Sequence, residues 1–429
     1  MVFISTRSAR LLTAWWLRNR SRVLWTAIAI LGLLALVRCG IELWRLVGVS
    51  HWVGAVDLNL RHRDIRHWFG GLPVYTDRTH SGYLPASFVL LWPLLGWLPS
   101  WPARWLWAIV NLAVLAFSFR FALRHSGAED GRDRAFFVLM LLAPYAVPGT
   151  LGNGQLGTLL LPALVAALWL LEPTHIHLAV SWRKDLLAAA LLVFALMKPS
   201  LTVPFFWIVL LRPRRLRPTV LVGLGYAAVS ILAQALRSRP LLTDLADVLR
   251  ISEGVVVADG LGHVPRWMAQ MGLGGWHLWG SAVVLAALGV WVARNRDADL
   301  WRLLGVTGIA ARIWMYHRPY DDSLILLAMI ALFRIAKQDR RKDGADVVAG
   351  LLLAVALLVE VAPGSFVYRE YPWNIAQALW QPLVWGVMTI FLCSRSLAPL
   401  AAATPPTGPA RGQLDGTCKD RCPAVPCVR

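Results

Sequence analysis

Charge is scarce in this chain, acid is scarcer, and cysteine is nearly absent. Charged residues make up 16% of the 429, where a soluble domain carries about 25%, and that shortage excludes an ordinary water-soluble fold. Only 24 residues are acidic against 43 lysines and arginines, a formal net charge of +19. In a soluble protein such an excess points to nucleic acid, but no nucleic-acid motif accompanies it, so no nucleic-acid partner is expected. The five cysteines are scattered: Cys39 and Cys393 lie in apolar runs, and Cys418, Cys422 and Cys427 follow one another near the end without a histidine. That spacing does not make a metal site. Neither an HExxH motif nor a glycine-rich phosphate loop is present. Alternating strand patterns are missing, which removes a β-barrel. Internal repeats are missing, which weighs against transporters built from repeated halves. The first apolar run lacks a small-residue cleavage pattern and therefore reads as an anchor.

What the chain has in excess is apolar sequence: 57% hydrophobic residues and a mean hydropathy of +0.56. The excess falls into about 11–13 segments, many close to the length of about 20 residues that crosses a hydrocarbon core. This predicts an all-α polytopic integral membrane protein. The expected spans begin with Val23–Val47, Leu84–Leu98 and Pro102–Phe121, and end with Val347–Val361 and Ala378–Cys393. An odd count of 13 cannot leave both termini inside, so one segment is expected to be broken or re-entrant; Leu84–Leu98, with Pro85 and Pro93, comes first, and the short pair around Lys198 second. The 23 tryptophans are expected mostly at helix ends, in the interfacial belt.

Residues 1–22 are a basic N-terminus placed in the cytoplasm by the positive-inside rule, residues 23–398 form the membrane domain, and 399–429 read as a disordered Ala/Pro/Gly-rich tail. The basic links after Leu211, Val292 and Ile335 belong inside by the same rule. The first loop, 48–83, then falls outside, together with the Gly–Gln turn at 152–155, Lys198-Pro199, the long loop 237–275, the Tyr316–Asp322 link and 363–374. The polar constellations gather on one face.

In the first loop, residues 57–70 have helical potential. Asp57 stands just past the first span, where a carboxylate can take a proton from an attacking hydroxyl, or simply pair with Arg61 or Arg63. Asp57, Arg61 and Asp64 share one helical face, and Arg63, Arg66, His67 and Gly70 another. Arginines in an outer loop run against the charge rule and suit a lipid-linked phosphate or lipid headgroups. Lys198 is an ionisable residue between two apolar segments, read as functional or as snorkelling to the interface. Gly152-Asn153-Gly154-Gln155 could offer amides to sugar hydroxyls or merely cap two helices. Tyr316-His317-Arg318-Pro319-Tyr320-Asp321-Asp322 is dense in donors, acceptors and aromatics. Loop 237–275 adds Glu253, Asp259, His263 and Arg266, and its length suggests a lid or binding loop.

The order of these features resembles glycosyltransferase family 87, integral-membrane GT-C enzymes. The resemblance rests on Asp57, Gly71-Leu72-Pro73-Val74-Tyr75, Tyr83-Leu84-Pro85, Trp92-Pro93-Leu94, Gly154-Gln155, Lys198-Pro199 and Tyr316–Asp322, and spans residues 50–336. The chain departs from the family pattern at Leu58, where an aromatic is usual, at Ala86, where a second proline is usual, and at Leu156, where asparagine often follows. The resemblance implies a GT-C-like helical bundle that transfers a sugar, expected to be mannose, from a polyprenyl-phosphate donor to a lipid or glycan acceptor at the outer membrane face. It implies Asp57 as general base of an inverting displacement. Substrate contacts are expected from Arg61, Arg63, Asp64, Tyr75, Tyr83, Gln155, Lys198, His263, Arg266, His317, Arg318, Asp321 and Asp322, with Lys198, Arg61, Arg63 and His317 as cations for the leaving phosphate. No cofactor is required, and a divalent metal is left open. The competing readings are a polyprenyl-phosphate or lipid transporter and an inactive relative that binds lipid-linked sugar without turnover.

Overall fold

From Thr6 onward, the basic N-terminal stretch and the first apolar run form one helix. The computed structural model describes residues 6–49, 54–75, 82–172, 181–213, 215–237, 240–258, 262–338, 344–361 and 373–395. In it, helix α1 runs from Thr6 to Val47, 42 residues. At about 1.5 Å per residue this is twice the hydrocarbon core of about 30 Å. Only Ser21–Val47 is long and apolar enough to be a span, so the predicted division near residue 22 is a change of composition inside one helix. The expected tail 399–429 and nearly all of the 363–374 link lie outside the described residues.

Among the described residues every regular element is helical. After α1 come α2 (Val56–Phe69), α3 (Pro85–Leu91) with a π-helical turn over Trp92–Gly96, and α4 (Ser100–Arg124). Then follow α5 (Gly131–Leu142), α6 (Ala146–Asn153), α7 (Gly157–Leu170), α8 (Trp182–Ala195), α9 (Pro199–Thr202) and α10 (Phe206–Leu211). The next four are α11 (Arg217–Ala235), α12 (Leu241–Ala258), α13 (Val264–Gln270) and α14 (His277–Arg294). The chain closes with α15 (Leu300–Ile313), a 3-10 turn over Pro319–Leu324, α16 (Ile325–Gln338), α17 (Ala345–Val361) and α18 (Trp373–Ser394). The predicted long loop 237–275 is thus mostly helix.

Four described helices are long and apolar enough to cross a membrane: Ser21–Val47, Ser100–Arg124, Arg217–Ala235 and Gly274–Arg294. A fifth span is formed if α5 and α6, bent by 49°, are taken together. The other apolar segments are shorter helices, among them Pro85–Gly96 and Pro199–Leu211, the two that proline marks in the sequence. The long spans keep large apolar side chains on their outside: Leu33 and Leu36 on α1, Leu224 and Ile231 on α11, Trp279 and Val283 on α14 are all exposed. Apolar residues facing outward as well as inward are what a lipid solvent requires. The chain is a multi-pass membrane protein.

The centre is α15 against α16. Nearly every residue of α16 up to Ile335 is buried, and small residues let the backbones close. A Cβ on Gly308 would stand 2.5 Å from the Leu324 carbonyl oxygen, so any larger residue there parts the helices.

Polar groups collect at two ends. At one, Arg212 grips Glu172 with a bidentate pair at 2.5 and 3.0 Å and caps the carbonyls of Arg296 and Ala298. Arg215 pairs with Asp185 at 2.7 Å, Arg334 with Asp299 at 3.0 Å, and Lys337 with Asp133. The links that the charge rule assigned to one face therefore meet in one ionic layer. The candidate site lies among the other set of links.

Candidate active site

The turn between α6 and α7 sets the geometry. Gly154 has φ +69°, the left-handed region that costs a side-chain-bearing residue about 1–2 kcal/mol. It also has no room for one, because a Cβ would sit 2.3 Å from Leu58 Cβ on α2. Two residues earlier, a Cβ on Gly152 would collide with Glu42 of α1 at 1.9 Å. The glycines thus let this turn press against α1 and α2 together, and Gln155 arrives beside Asp57. Gln155 Nε2 donates to Asp57 Oδ2 at 2.6 Å, across 98 residues of sequence.

Asp57 is half-buried in the first turn of α2, where the positive end of the helix dipole favours a carboxylate. The residue that starts the helix, Ala55, has φ 51° and is fully buried, a strained backbone next to the candidate base. Asn59 Nδ2 holds that bend by donating to the Gly54 carbonyl at 2.9 Å.

Lys198 arrives from a broken helix. Pro199 excludes the helical region for the residue before it, and Lys198 has φ −126° and ψ 83°. The carbonyls freed by the break are recaptured. Ser87 Oγ donates to Met197 O and Trp314 Nε1 to Ser200 O, each at 2.8 Å. Lys198 Nζ then reaches Asp321 Oδ1 at 2.6 Å and stands 5.6 Å from the Tyr320 ring centre. Burial alone would lower the pKa of Lys198, but Asp321, Tyr83 and Asp57 outweigh it and hold the ammonium above its ordinary value. Burial would likewise raise Asp321, but Lys198 and His317 hold that carboxyl well below the usual carboxylate range. The pair is ionic.

His317 is fully buried, with Nδ1 3.2 Å from Asp321 Oδ2. Burial pushes its pKa down despite Asp321, so the imidazole is neutral at pH 7 and donates from Nδ1 to the ionised Asp321. Its Nε2 then carries the lone pair and has no partner among the described residues. Gln155 Oε1 and Ser323 Oγ are also buried without a partner among them.

Of the residues singled out in the sequence, Asp57, Gln155, Lys198, His317 and Asp321 are joined by these contacts and by the field of Asp57 at Lys198 and Tyr320. Tyr83 adjoins them, with the Arg61 guanidinium 4.1 Å from its ring centre. Arg61 is held at 2.8 Å by Asp64, which is completely buried and also 3.5 Å from Arg63. Tyr75 is buried and donates to the Tyr83 carbonyl at 2.8 Å. His263 starts α13 and accepts from the Arg266 amide at 3.3 Å, its ring 5.8 Å from Tyr316. Arg318 is exposed and donates to Tyr316 OH at 2.6 Å.

Asp322 separates from its neighbour. It binds Arg312 on α15 and accepts from Gln381 on α18 at 3.1 Å. Burial pushes its pKa up, with Arg312 opposing. Arg312 stacks on Trp385 at 4.9 Å, and Trp385 donates to Glu360 at 2.9 Å. The sequence reading passed over Arg312, Glu360 and Gln381, although a lone arginine and a lone glutamate inside apolar runs are the signal that finds such groups. No three described His, Cys, Asp or Glu side chains are grouped to hold a metal ion.

The family model for glycosyltransferase family 87 matches residues 83–315. That window takes in Tyr83, Gln155 and Lys198, while Asp57 and the 316–322 link flank it. No curated protein and no solved structure matches the chain.

Proposed function

The chain belongs to glycosyltransferase family 87, and from that premise we propose that this membrane glycosyltransferase moves mannose from a polyprenyl-phosphate donor to a hydroxyl of a lipid or glycan acceptor at the outer face of the cytoplasmic membrane. The observation that carries the proposal is the convergence of a carboxylate, Asp57, and an ammonium, Lys198, around buried polar atoms without partners.

The acceptor hydroxyl gives its proton to Asp57. Its oxygen attacks the anomeric carbon as the bond from that carbon to the phosphate oxygen breaks, and the configuration inverts. The leaving polyprenyl phosphate takes the bonding electron pair. Lys198, ionised in its pair with Asp321, and Arg61 supply positive charge where that negative charge develops. His317 serves differently from a cation: with Nδ1–H on Asp321, its Nε2 accepts a hydrogen bond from a sugar or acceptor hydroxyl. Gln155 orients Asp57 and leaves Oε1 for a second hydroxyl.

Membranes carrying Asp57→Asn, supplied with labelled polyprenyl-phosphate mannose, test the base. A general base contributes about 100- to 10,000-fold, so transfer should fall by that order while the protein stays folded. Undiminished transfer removes Asp57 from the mechanism, and transfer by the wild type from a different labelled polyprenyl-phosphate sugar, with none from the mannose donor, replaces mannose.

A further inference from the structure

We propose that the face of α2 turned away from Asp57 is a second site, which binds the phosphate of an anionic membrane lipid. At 100° per residue, Asp57, Arg61, Asp64 and Trp68 lie along one side of α2, and Asn59, Arg63, Arg66 and His67 along the other. The second side opens on a groove of about 610 Å³. Its far wall is the turn into α4, Pro99 and Ser100. The walls are fixed to each other: His62 Nε2 lies 2.8 Å from the Leu98 carbonyl, and Ser100 Oγ donates to Asn59 Oδ1 at 3.4 Å.

Among the described residues no acidic side chain lines this groove, while Arg63, Arg66 and His67 all do. Among the described residues the acid paired with these arginines is Asp64, shared between Arg61 at 2.8 Å and Arg63 at 3.5 Å, so the three together leave a full positive charge. Arg66 has no ion pair among the described residues, and His67 Nδ1 is buried there without a hydrogen-bond partner. Ser100 is also the first residue of α4, a 25-residue helix, so the positive end of its dipole points to the same space. Two guanidiniums and a helix start around an acid-free groove are the chemistry of a phosphate site.

The source of the phosphate follows from the surroundings. Trp97, Trp101 and Trp105, beside the groove in sequence, are 63, 50 and 47% exposed. Tryptophan is enriched at headgroup depth in membrane proteins, and three exposed tryptophans within nine residues mark that depth. A groove at that depth meets lipid phosphates before free ones.

The test uses the full-length protein in nanodiscs of phosphatidylcholine with stepped fractions of phosphatidylglycerol. Native mass spectrometry counts the retained lipid. The wild type should show saturable retention of phosphatidylglycerol over phosphatidylcholine. Each guanidinium near an anionic headgroup is worth about 1 kcal/mol, so Arg66→Gln should weaken retention about fivefold and Arg63→Gln with Arg66→Gln about 25-fold. Arg66→Lys keeps the charge and should stay near the wild type, which separates loss of the site from loss of the fold. Equal retention by the wild type and the double variant overturns the proposal. So does a wild type without preference for the anionic lipid. Displacement of the lipid by excess inorganic phosphate would reassign the groove to a free anion and overturn the lipid.

Discussion

Replacing Lys198 and Asp321 singly and together separates what their ion pair does for stability from what Lys198 does for transfer. The two are 2.6 Å apart, with side chains 16% and 5% exposed. Removing one partner of a buried pair strands the other charge and costs about 3–5 kcal/mol, whereas removing both with shape kept is close to neutral. Lys198→Met keeps the aliphatic stem, and Asp321→Asn keeps an acceptor for the His317 ring and the Arg318 amide, 3.2 and 3.3 Å away. Each single variant should therefore lower the thermal midpoint by several degrees, and the double variant should regain most of the loss, a coupling of about 3 kcal/mol. Transfer should not return, because the double variant still lacks the cation beside the leaving phosphate. The pH dependence has a definite sign. Asp321 is depressed from its ordinary 3.8, so its contribution is present above that value and lost only as pH falls through the lower folded one. Lys198 is raised from 10.5, so its contribution is present below that value and lost only as pH rises through the higher one. Between the two the coupling should be flat. The assay is unfolding followed by the tryptophan fluorescence, run beside transfer in the same membranes. A double variant no more stable than the worse single refutes the ion pair as a stabilising unit, and a fully active double variant refutes Lys198 as a phosphate-side cation.

Gly154→Ala must enter the left-handed region and meet Leu58 Cβ at 2.3 Å. Strain and overpacking together should cost about 2–5 kcal/mol, read as a lowered thermal midpoint, with transfer lost in step because α2 carries Asp57. Gln155→Leu removes the donor 2.6 Å from Asp57; a hydrogen bond to a charged group is worth about 1.5–3 kcal/mol, so transfer should fall by about 10- to 100-fold, and an unchanged rate would free Asp57 from that partner. His317→Asn keeps a donor for Asp321 but cannot titrate. Burial lowers the imidazole from its ordinary 6.5, so the wild type holds this part of its stability above that value and loses it as pH falls towards the folded one; the variant's midpoint should not follow that fall.

The sequence by itself determined the class of fold and singled out polar residues of the candidate site. Continuous apolar runs with few charges allow only helices in lipid, and the basic links after Leu211, Val292 and Ile335, which the charge rule put together, meet in the structure through Arg212, Arg296, Asp299 and Arg334. Pro199 announced the break that delivers Lys198, and Asp57, Gln155, His317 and Asp321 stood out as polar groups in an apolar chain. Spacing could not say which of them meet, because Gln155 and Asp57 are 98 residues apart and Lys198 and Asp321 123. Only tertiary structure decided that Asp321 turns to Lys198 while Asp322 turns to Arg312 and Gln381. The physical reason is that periodicity fixes the face a residue takes on its own helix, whereas the neighbour across that face depends on how closely two backbones can approach. Here that approach is set by the missing side chains of Gly152 and Gly154.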